Sequence, residues 1–207
     1  MLEGLGTLAL RRDDLESANT LLEASRTIHA RIGDNLGEAN ALQTLGTLAL
    51  RRNDLEGAKT FLETARAIHV RIDNKLGEAN TFFLIGLALT QEDTVRAETT
   101  LAEALVKYRA VNERWGIAQI ELRLAQIAAA RGDSGRLASA TAQLLELETR
   151  DQMRLAGPGW RDFCASLLEN DPERRQALRE DARASWTAIG ALGLVREMLD
   201  FKIEIRP

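Results

Sequence analysis

A close duplication at a spacing of 40 residues constrains the fold of this chain more than any other feature of its sequence. Residues 5–40 read LGTLALRRDDLESANTLLEASRTIHARIGDNLGEAN, and residues 45–80 read LGTLALRRNDLEGAKTFLETARAIHVRIDNKLGEAN, so that 25 of 36 positions are identical. Shared helix-forming composition does not produce identity of this extent. We therefore interpret the two segments as a tandem duplication, followed by a third copy from residue 76 and a more diverged fourth copy from residue 115, and we predict an array of structural repeats.

Each repeat contains two stretches with helical periodicity. In the second repeat Leu42, Leu45 and Leu48 recur at helical spacing. Residues 52–54, Arg-Asn-Asp, interrupt the pattern, because Asn and Asp accept a left-handed backbone and cap the helix that follows. A second apolar stripe then runs through residues 55–68. Since one helix pair of this size cannot bury its own apolar face, neighbouring pairs are expected to stack on each other.

The order of large and small residues in the repeat resembles the tetratricopeptide repeat. The residues that carry the resemblance are Leu45, Gly46, Ala49, Ala58, Leu62 and Ala65. The 40-residue period resembles the long variety found in kinesin light chains, spindle-orientation adaptors and bacterial multidomain regulators. The resemblance implies an all-α fold, a right-handed superhelical α-solenoid of stacked antiparallel helix hairpins, in which Gly46 is the small residue where the first helix presses on the second.

The repeats divide the chain into an array and a diverged end. We place the repeats at about residues 2–35, 36–75, 76–114 and 115–152, which together form an array over residues 1–152. Residues 153–207 are expected to form a diverged helical hairpin and a capping helix, continuous with the array. Gly157-Pro158 is a turn signal, Asp171-Pro172 reads as a cap and first-turn proline, and residues 194–203 are expected to form the last helix.

The first repeat begins within its first helix, since Met1 stands where the LGEAN segment of the other copies ends. We expect either that the chain belongs to a longer array or that another surface covers this edge, because array ends normally carry a polar cap. The uncapped hairpin presents Leu2, Leu5 and Leu8. This edge is therefore a candidate self-association surface, through which a homodimer could form.

Composition excludes several classes of partner. The net charge is −4 and the isoelectric point is near 5.4, so there is no general basic field for nucleic acid or anionic lipid. The apolar stretches are far shorter than the ~20 residues that span a bilayer, and the N-terminal residues do not resemble a secretion signal. Cys164 is the single cysteine, which excludes an intrachain disulfide. We predict a cytoplasmic protein that binds neither nucleic acid nor membrane.

No constellation of residues points to catalysis. His29 and His69 are the two histidines and occupy equivalent positions in consecutive repeats. Two ligands make a poor metal site, so packing is the favoured interpretation of both. Cys164 lies on an apolar helical face, which favours a buried structural thiol over a nucleophile. We predict that the protein is not an enzyme and holds no metal or cofactor.

The resemblance implies that the first helices of successive hairpins line a concave groove, where a protein or peptide partner would bind. The groove residues that it implies are Asn40, Gln43, Thr47, Asn80, Phe83, Leu87, Gln119, Leu122, Arg123 and Gln126. The groove combines polar residues with an apolar stretch, a pattern that suits an amphipathic helix laid along it. The alternative is that the C-terminal helices of the chain itself cover the apolar stretch.

A second candidate surface is a basic edge at the hairpin turns. It consists of Arg11, Arg12, Arg51 and Arg52, which recur through the duplication. An acidic partner could bind this edge. The favoured interpretation is that these arginines are solvent-exposed turn residues copied by the duplication. The absence of interleaved aromatic residues argues against nucleic acid.

Three hypotheses for function follow. The leading one is a non-catalytic scaffold that binds a partner helix or peptide in the concave groove. The second is a sensor or self-association segment of a larger bacterial signalling or transcription regulator. The third is a receptor for a small ligand enclosed by the superhelix, which would require a closed cavity with convergent polar groups.

Overall fold

A computed structural model of the chain describes residues 1–90, 92–149 and 159–188, and these residues are almost entirely helical. The helices pack consecutively as hairpins, and no strand occurs in the described ranges, which confirms the predicted all-α class and its arrangement of stacked helix pairs. The chain divides into two compact units, Met1–Asn112 and Glu113–Pro207.

The first unit contains three hairpins. Its helices are α1 (Leu2–Arg11), α2 (Leu15–Ile32), α3 (Asn35–Arg51), α4 (Leu55–Arg71), α5 (Lys75–Leu89) and α6 (Thr94–Ala110). The described part of the second unit contains two hairpins. Its helices are α7 (Arg114–Arg131), α8 (Ser134–Thr149), α9 (Gly159–Leu168) and α10 (Pro172–Ala188).

Six of the turns between the described helices contain one residue with a left-handed backbone. Asn53 has a left-handed backbone with φ of 59°, and the next residue, Asp54, caps α4 by accepting a hydrogen bond at 2.9 Å from the backbone N–H of Gly57. This confirms the prediction that residues 52–54 end one helix and begin the next. The left-handed residues of the other turns are Asp13, Gly33, Asp73, Asn112 and Gly132.

Small residues set the distance between the two helices of a hairpin. A Cβ atom at Gly46 of α3 would lie 2.6 Å from the Leu62 side chain of α4, closer than any carbon contact allows. Gly46 is therefore the residue at which the first helix presses on the second, as the sequence predicted. Gly6 and Gly86 take the same place in the other two hairpins of the first unit.

Successive hairpins are joined by apolar contacts. Leu45 and Leu48 of α3 are buried in one cluster with Leu10 of α1 and with Ala18 and Leu22 of α2. These side chains are between 0% and 5% exposed. The stacking of neighbouring repeats thus buries the face of α3 that a single hairpin would leave in water.

The second unit has its own core. Leu122 of α7 and Leu144 of α8 pack in one cluster with Phe163 of α9 and Trp186 of α10, and the two aromatic ring centroids are 5.8 Å apart. Cys164 belongs to the same cluster and is 1% exposed, which confirms the prediction of a buried thiol.

The start of α10 follows the sequence prediction. Pro172 is its first residue, and the Asp171 carboxylate accepts a hydrogen bond at 2.8 Å from the backbone N–H of Arg174. The turn at 157–158, the helix expected over 194–203 and the boundary expected at 152/153 lie outside the described residues and stay predictions. None of the described helices combines the length and hydrophobicity that a membrane span needs.

Candidate partner-binding surface

The residues expected in the groove of the first unit are partly exposed positions of α3 and α5. The apolar face of α3, with Leu42, Leu45 and Leu48, is buried against its neighbours. The positions between these leucines stay partly exposed. The partly exposed members of the expected groove in this unit are Asn40, Gln43, Thr47, Asn80, Phe83 and Leu87. Helices α3 and α5 contact each other directly. We call these six positions the inner face.

The polar part of the inner face is uncharged. The Thr47 hydroxyl is occupied within its own helix, where it donates to the Gln43 carbonyl oxygen at 3.1 Å. The side-chain amides of Asn40 and Gln43 make no hydrogen bond to any group in the described ranges. A primary amide can donate two hydrogen bonds and accept two. These two amides are therefore available to a partner.

Asn80 is held in place by the second helix of its hairpin. The buried Tyr108 hydroxyl of α6 donates to the Asn80 side-chain oxygen at 2.6 Å. This bond orients the amide and directs its N–H₂ group away from Tyr108. Sequence reasoning missed the bond, because the position equivalent to Tyr108 in the second repeat holds His69 and not a tyrosine.

The apolar part of the inner face consists of Phe83 and Leu87, which are four residues apart and so lie on one side of α5. The neighbouring Phe82 has a different role. Its ring lies against the guanidinium of Arg66 at 5.2 Å and the ammonium of Lys107 at 4.9 Å. Phe82 is therefore tied to α4 and α6 by cation–π contacts, whereas Phe83 and Leu87 are partly exposed positions without such a contact in the described ranges.

The groove residues expected on α7 have a different environment. Leu122 is 1% exposed and packs against α9 and α10 within the second unit, so the C-terminal helices do cover this position. Arg123 and Gln126 are 6% and 8% exposed, and the Arg123 guanidinium donates to the Gln126 side-chain oxygen at 3.0 Å. Gln119 is partly exposed. In this structure, three of the four residues expected on α7 are internal.

Two of the four arginines of the expected basic edge make hydrogen bonds within the fold. The Arg51 guanidinium donates to the Leu10 carbonyl oxygen at 2.7 Å, and Arg52 donates to the Leu15 carbonyl oxygen at 2.7 Å. Both acceptors belong to the preceding hairpin. Arg51 and Arg52 therefore link two hairpins across their turns, a role that sequence reasoning missed because main-chain acceptors carry no sequence signal.

The two histidines lie at equivalent turns, but the residues that contact their Nδ1 atoms differ. The Nδ1 atom of His29 lies 2.8 Å from a carboxylate oxygen of Asp34, the residue that caps α3. The Nδ1 atom of His69 lies 3.2 Å from the amide nitrogen of Asn74, which caps α5. His69 is fully buried, and this burial lowers its pKa from the usual value of 6.5.

Packing explains why glycine follows these caps. A Cβ atom at Gly77 would lie 2.3 Å from the Nδ1 atom of His69, and one at Gly37 would lie 2.2 Å from that of His29. The glycine of the LGEAN segment thus leaves the space that the histidine of the preceding helix occupies. This supports the interpretation of both histidines as packing residues.

Antiparallel helix pairs with a duplicated sequence define a helical-repeat protein. Within that class, residues 1–69 match the model of the tetratricopeptide repeat. This match supports a tetratricopeptide-type repeat in that part of the chain, and repeats of this family generally mediate protein–protein interactions and are typically non-catalytic. No curated protein matches the chain.

Proposed function

We propose that this protein is a non-catalytic scaffold that binds a helix or peptide of a partner protein on the inner face of α3 and α5. The observation that carries the proposal is that two contacting helices carry partly exposed side chains at the expected groove positions, with the amides of Asn40 and Gln43 making no hydrogen bond in the described ranges. The match of residues 1–69 to the tetratricopeptide repeat model supports the general role in protein interaction.

The chemistry of the inner face favours a particular kind of segment. Asn40 and Gln43 of α3 offer amide groups, and Phe83 and Leu87 of α5 offer apolar contact. An amphipathic helix would place its apolar side chains on α5 and its polar side chains on α3. Because the face carries no charged group among its expected residues, we expect affinity to depend weakly on salt.

Substitution on the inner face tests the proposal. Leu87→Asp should weaken capture of the partner by at least about tenfold, because it places a charge against the apolar side of the bound segment. Gln43→Ala should weaken it by a smaller factor. Val106→Asp is the matched control, since Val106 of α6 is 67% exposed and is not one of the expected groove residues.

The measurement is quantitative capture from the native host, followed by calorimetric titration of the purified partner. Circular dichroism of each variant separates lost binding from lost structure. If the partner binds the Leu87→Asp and Gln43→Ala chains as tightly as it binds the Val106→Asp chain, the inner face is not the binding surface.

Self-association through the first hairpin is the second candidate, and it corresponds to the predicted homodimer or regulator segment. The observation in its favour is the exposure of Leu5 and Leu8 of α1, at 45% and 44%. Sedimentation analysis over a wide range of concentration tests it. A mass that stays at one chain throughout would count against self-association.

A further inference from the structure

His69 of α4 carries a buried hydrogen-bond donor. The Asn74 side-chain oxygen accepts from the backbone N–H of Gly77 at 2.9 Å, so the Asn74 amide nitrogen is the atom that lies 3.2 Å from Nδ1 of His69. Because an amide nitrogen only donates, Nδ1 is the acceptor and the proton of the neutral imidazole lies on Nε2. His69 is 0% exposed, and its Nε2 atom has no hydrogen-bond partner in the described ranges. A buried N–H group without an acceptor is rare in folded proteins, because it costs the free energy of desolvation.

The following hairpin has a longer ring at the same place. Tyr108 takes the position of His69 in the α5–α6 hairpin, and its hydroxyl donates to the Asn80 side-chain oxygen at 2.6 Å. Tyr108 is 2% exposed, so both rings are buried. Asn40 takes the position of Asn80 in the α3–α4 hairpin, and its side-chain amide makes no hydrogen bond within the described part of the chain. The hairpin that has the unpaired donor therefore also has an unpaired amide at the equivalent position.

The two hairpins pack in the same register. In the α3–α4 hairpin a Cβ atom at Gly46 would lie 2.6 Å from Leu62, and in the α5–α6 hairpin one at Gly86 would lie 2.7 Å from Leu101. Each asparagine precedes the glycine of its hairpin by six residues, and each ring follows the leucine by seven residues. The imidazole therefore faces Asn40 as the phenol ring faces the asparagine of its own hairpin.

The difference in ring length separates the donor from the amide. An imidazole is shorter than a phenol ring, so Nε2 of His69 does not reach Asn40 as the Tyr108 hydroxyl reaches its asparagine. The outer part of a tyrosine ring with its hydroxyl is larger than one water molecule, whose share of liquid volume is about 30 Å³. A buried water typically makes about two to four hydrogen bonds to polar groups that otherwise have none. An N–H donor and an amide oxygen offer such a water one bond of each kind.

We infer that His69 and Asn40 bind one water molecule between α3 and α4, in the place that the Tyr108 hydroxyl takes in the next hairpin. Nε2 of His69 donates to the water oxygen at about 2.9 Å. The water donates to the Asn40 side-chain oxygen, which orients the amide and directs its N–H₂ group away from the ring. His69 is thus a positioning residue for Asn40. Since Asn40 belongs to the inner face, the use of this oriented amide by a partner rests on the proposed function.

An ion fits this site less well than water. A cation needs a lone pair, and the protonated Nε2 of His69 offers none. No group of three or more His, Cys, Asp or Glu side chains that could hold a metal occurs among the described residues. Burial lowers the pKa of His69, and the Glu78 carboxylate partly opposes this effect. The same negative charge disfavours an anion at the imidazole. A neutral molecule that both accepts and donates is therefore the best occupant.

NMR of the full chain detects the water directly. The imidazole nitrogen shifts of His69 should show the tautomer with the proton on Nε2, and this proton should give a nuclear Overhauser cross-peak to a long-lived water. Reciprocal exchange of the two rings gives a matched pair of variants. His69→Tyr should lose the water, because the tyrosine hydroxyl donates to Asn40 directly. Tyr108→His should gain a water at Asn80, with the same cross-peak from the new imidazole.

The side-chain amide of Asn40 reports its positioning. Its order parameter should match that of Asn80 in the unaltered chain and fall below about 0.6 in His69→Phe, which keeps a buried ring but has no donor. His69→Tyr should restore it. Circular dichroism establishes that each variant is folded.

Three results would overturn the water site. They are a proton on Nδ1 of His69, the absence of the water cross-peak from His69, and an Asn40 amide that is equally ordered in His69→Phe and His69→Tyr. Tyr108→His gives an independent test in the other hairpin should His69→Phe not fold, and the absence of a water cross-peak there would also count against the site. None of these measurements needs a partner, so unchanged partner binding by Leu87→Asp would refute the proposed function and leave the water site standing.

Discussion

The contact between Gly46 and Leu62 predicts that replacing glycine by alanine changes the free energy of unfolding in opposite directions at Gly46 and at Gly4. Replacing a glycine in a helix by alanine normally stabilises the helix by about 1 kcal/mol, because glycine loses more backbone entropy on folding. At Gly4 of α1 this gain should appear in full, since a Cβ atom there meets nothing within 4 Å.

At Gly46 the same methyl group has no room. It would lie 2.6 Å from the Cγ and Cδ2 atoms of Leu62, a side chain that is fully buried on α4. Overpacking of this kind costs about 1–3 kcal/mol. After the helix-propensity gain is subtracted, Gly46→Ala should lower the free energy of unfolding by roughly 1 kcal/mol. The free energies of unfolding of the Gly46→Ala and Gly4→Ala variants should therefore differ by about 2 kcal/mol.

A double-mutant cycle with Leu62→Ala isolates the contact. Leu62→Ala alone should cost about 2–5 kcal/mol, because it leaves a cavity between the two helices. In the double variant the methyl group introduced at position 46 occupies part of that cavity, so we expect the two costs to be less than additive by about 1 kcal/mol or more. Urea unfolding followed by circular dichroism gives each free energy, provided that the denaturant dependence is unchanged.

Two results would refute the reasoning. If Gly46→Ala stabilises the protein as much as Gly4→Ala does, the first helix does not press on the second at Gly46. Strict additivity in the cycle would mean that the cost of Gly46→Ala arises somewhere other than at Leu62.

Other contacts of the described residues give three shorter predictions. Burial lowers the pKa of His69 below 6.5, so the unfolded chain binds the proton more readily than the folded chain. The free energy of unfolding should therefore fall as pH decreases below 6.5. Asn74→Asp should raise the pKa of His69, and NMR titration of the two histidines measures this change. Arg52→Met should cost about 1 kcal/mol by removing its carbonyl contact, whereas Arg12→Met should leave urea unfolding unchanged. Trp186→Ala should cost about 3–5 kcal/mol because this ring is fully buried, and near-ultraviolet circular dichroism should show the loss of its packing.

The hairpins and their turns could be predicted from the sequence because their causes are local. Asn53 and Asp54 favour a left-handed turn and a helix cap wherever they stand, and the structure has both. The small residue at Gly46 was equally predictable, since the resemblance assigns the position where the helices of a hairpin meet. Local propensity and the repeat pattern therefore account for the helix pairs themselves.

The candidate site was less predictable because it depends on which elements lie next to each other. Leu122 corresponds to Gln43 and Phe83 in its position within the repeat, and nothing near it in sequence indicates that Trp186 and Phe163 pack on it. The contact joins residues far apart along the chain. For this reason the expected groove positions are partly exposed on α3 and α5 but mostly buried on α7.

Identical residues in the two copies of the duplicated segment differ in burial and in contacts. Residues 5–12 and 45–52 are identical, yet Leu8 is exposed and Leu48 is buried, and Arg52 holds a carbonyl oxygen while Arg12 holds none in the described ranges. The difference cannot come from local sequence, which is the same, and must come from the neighbouring hairpin. In a stacked array the adjacent repeat therefore decides whether identical side chains are buried or exposed.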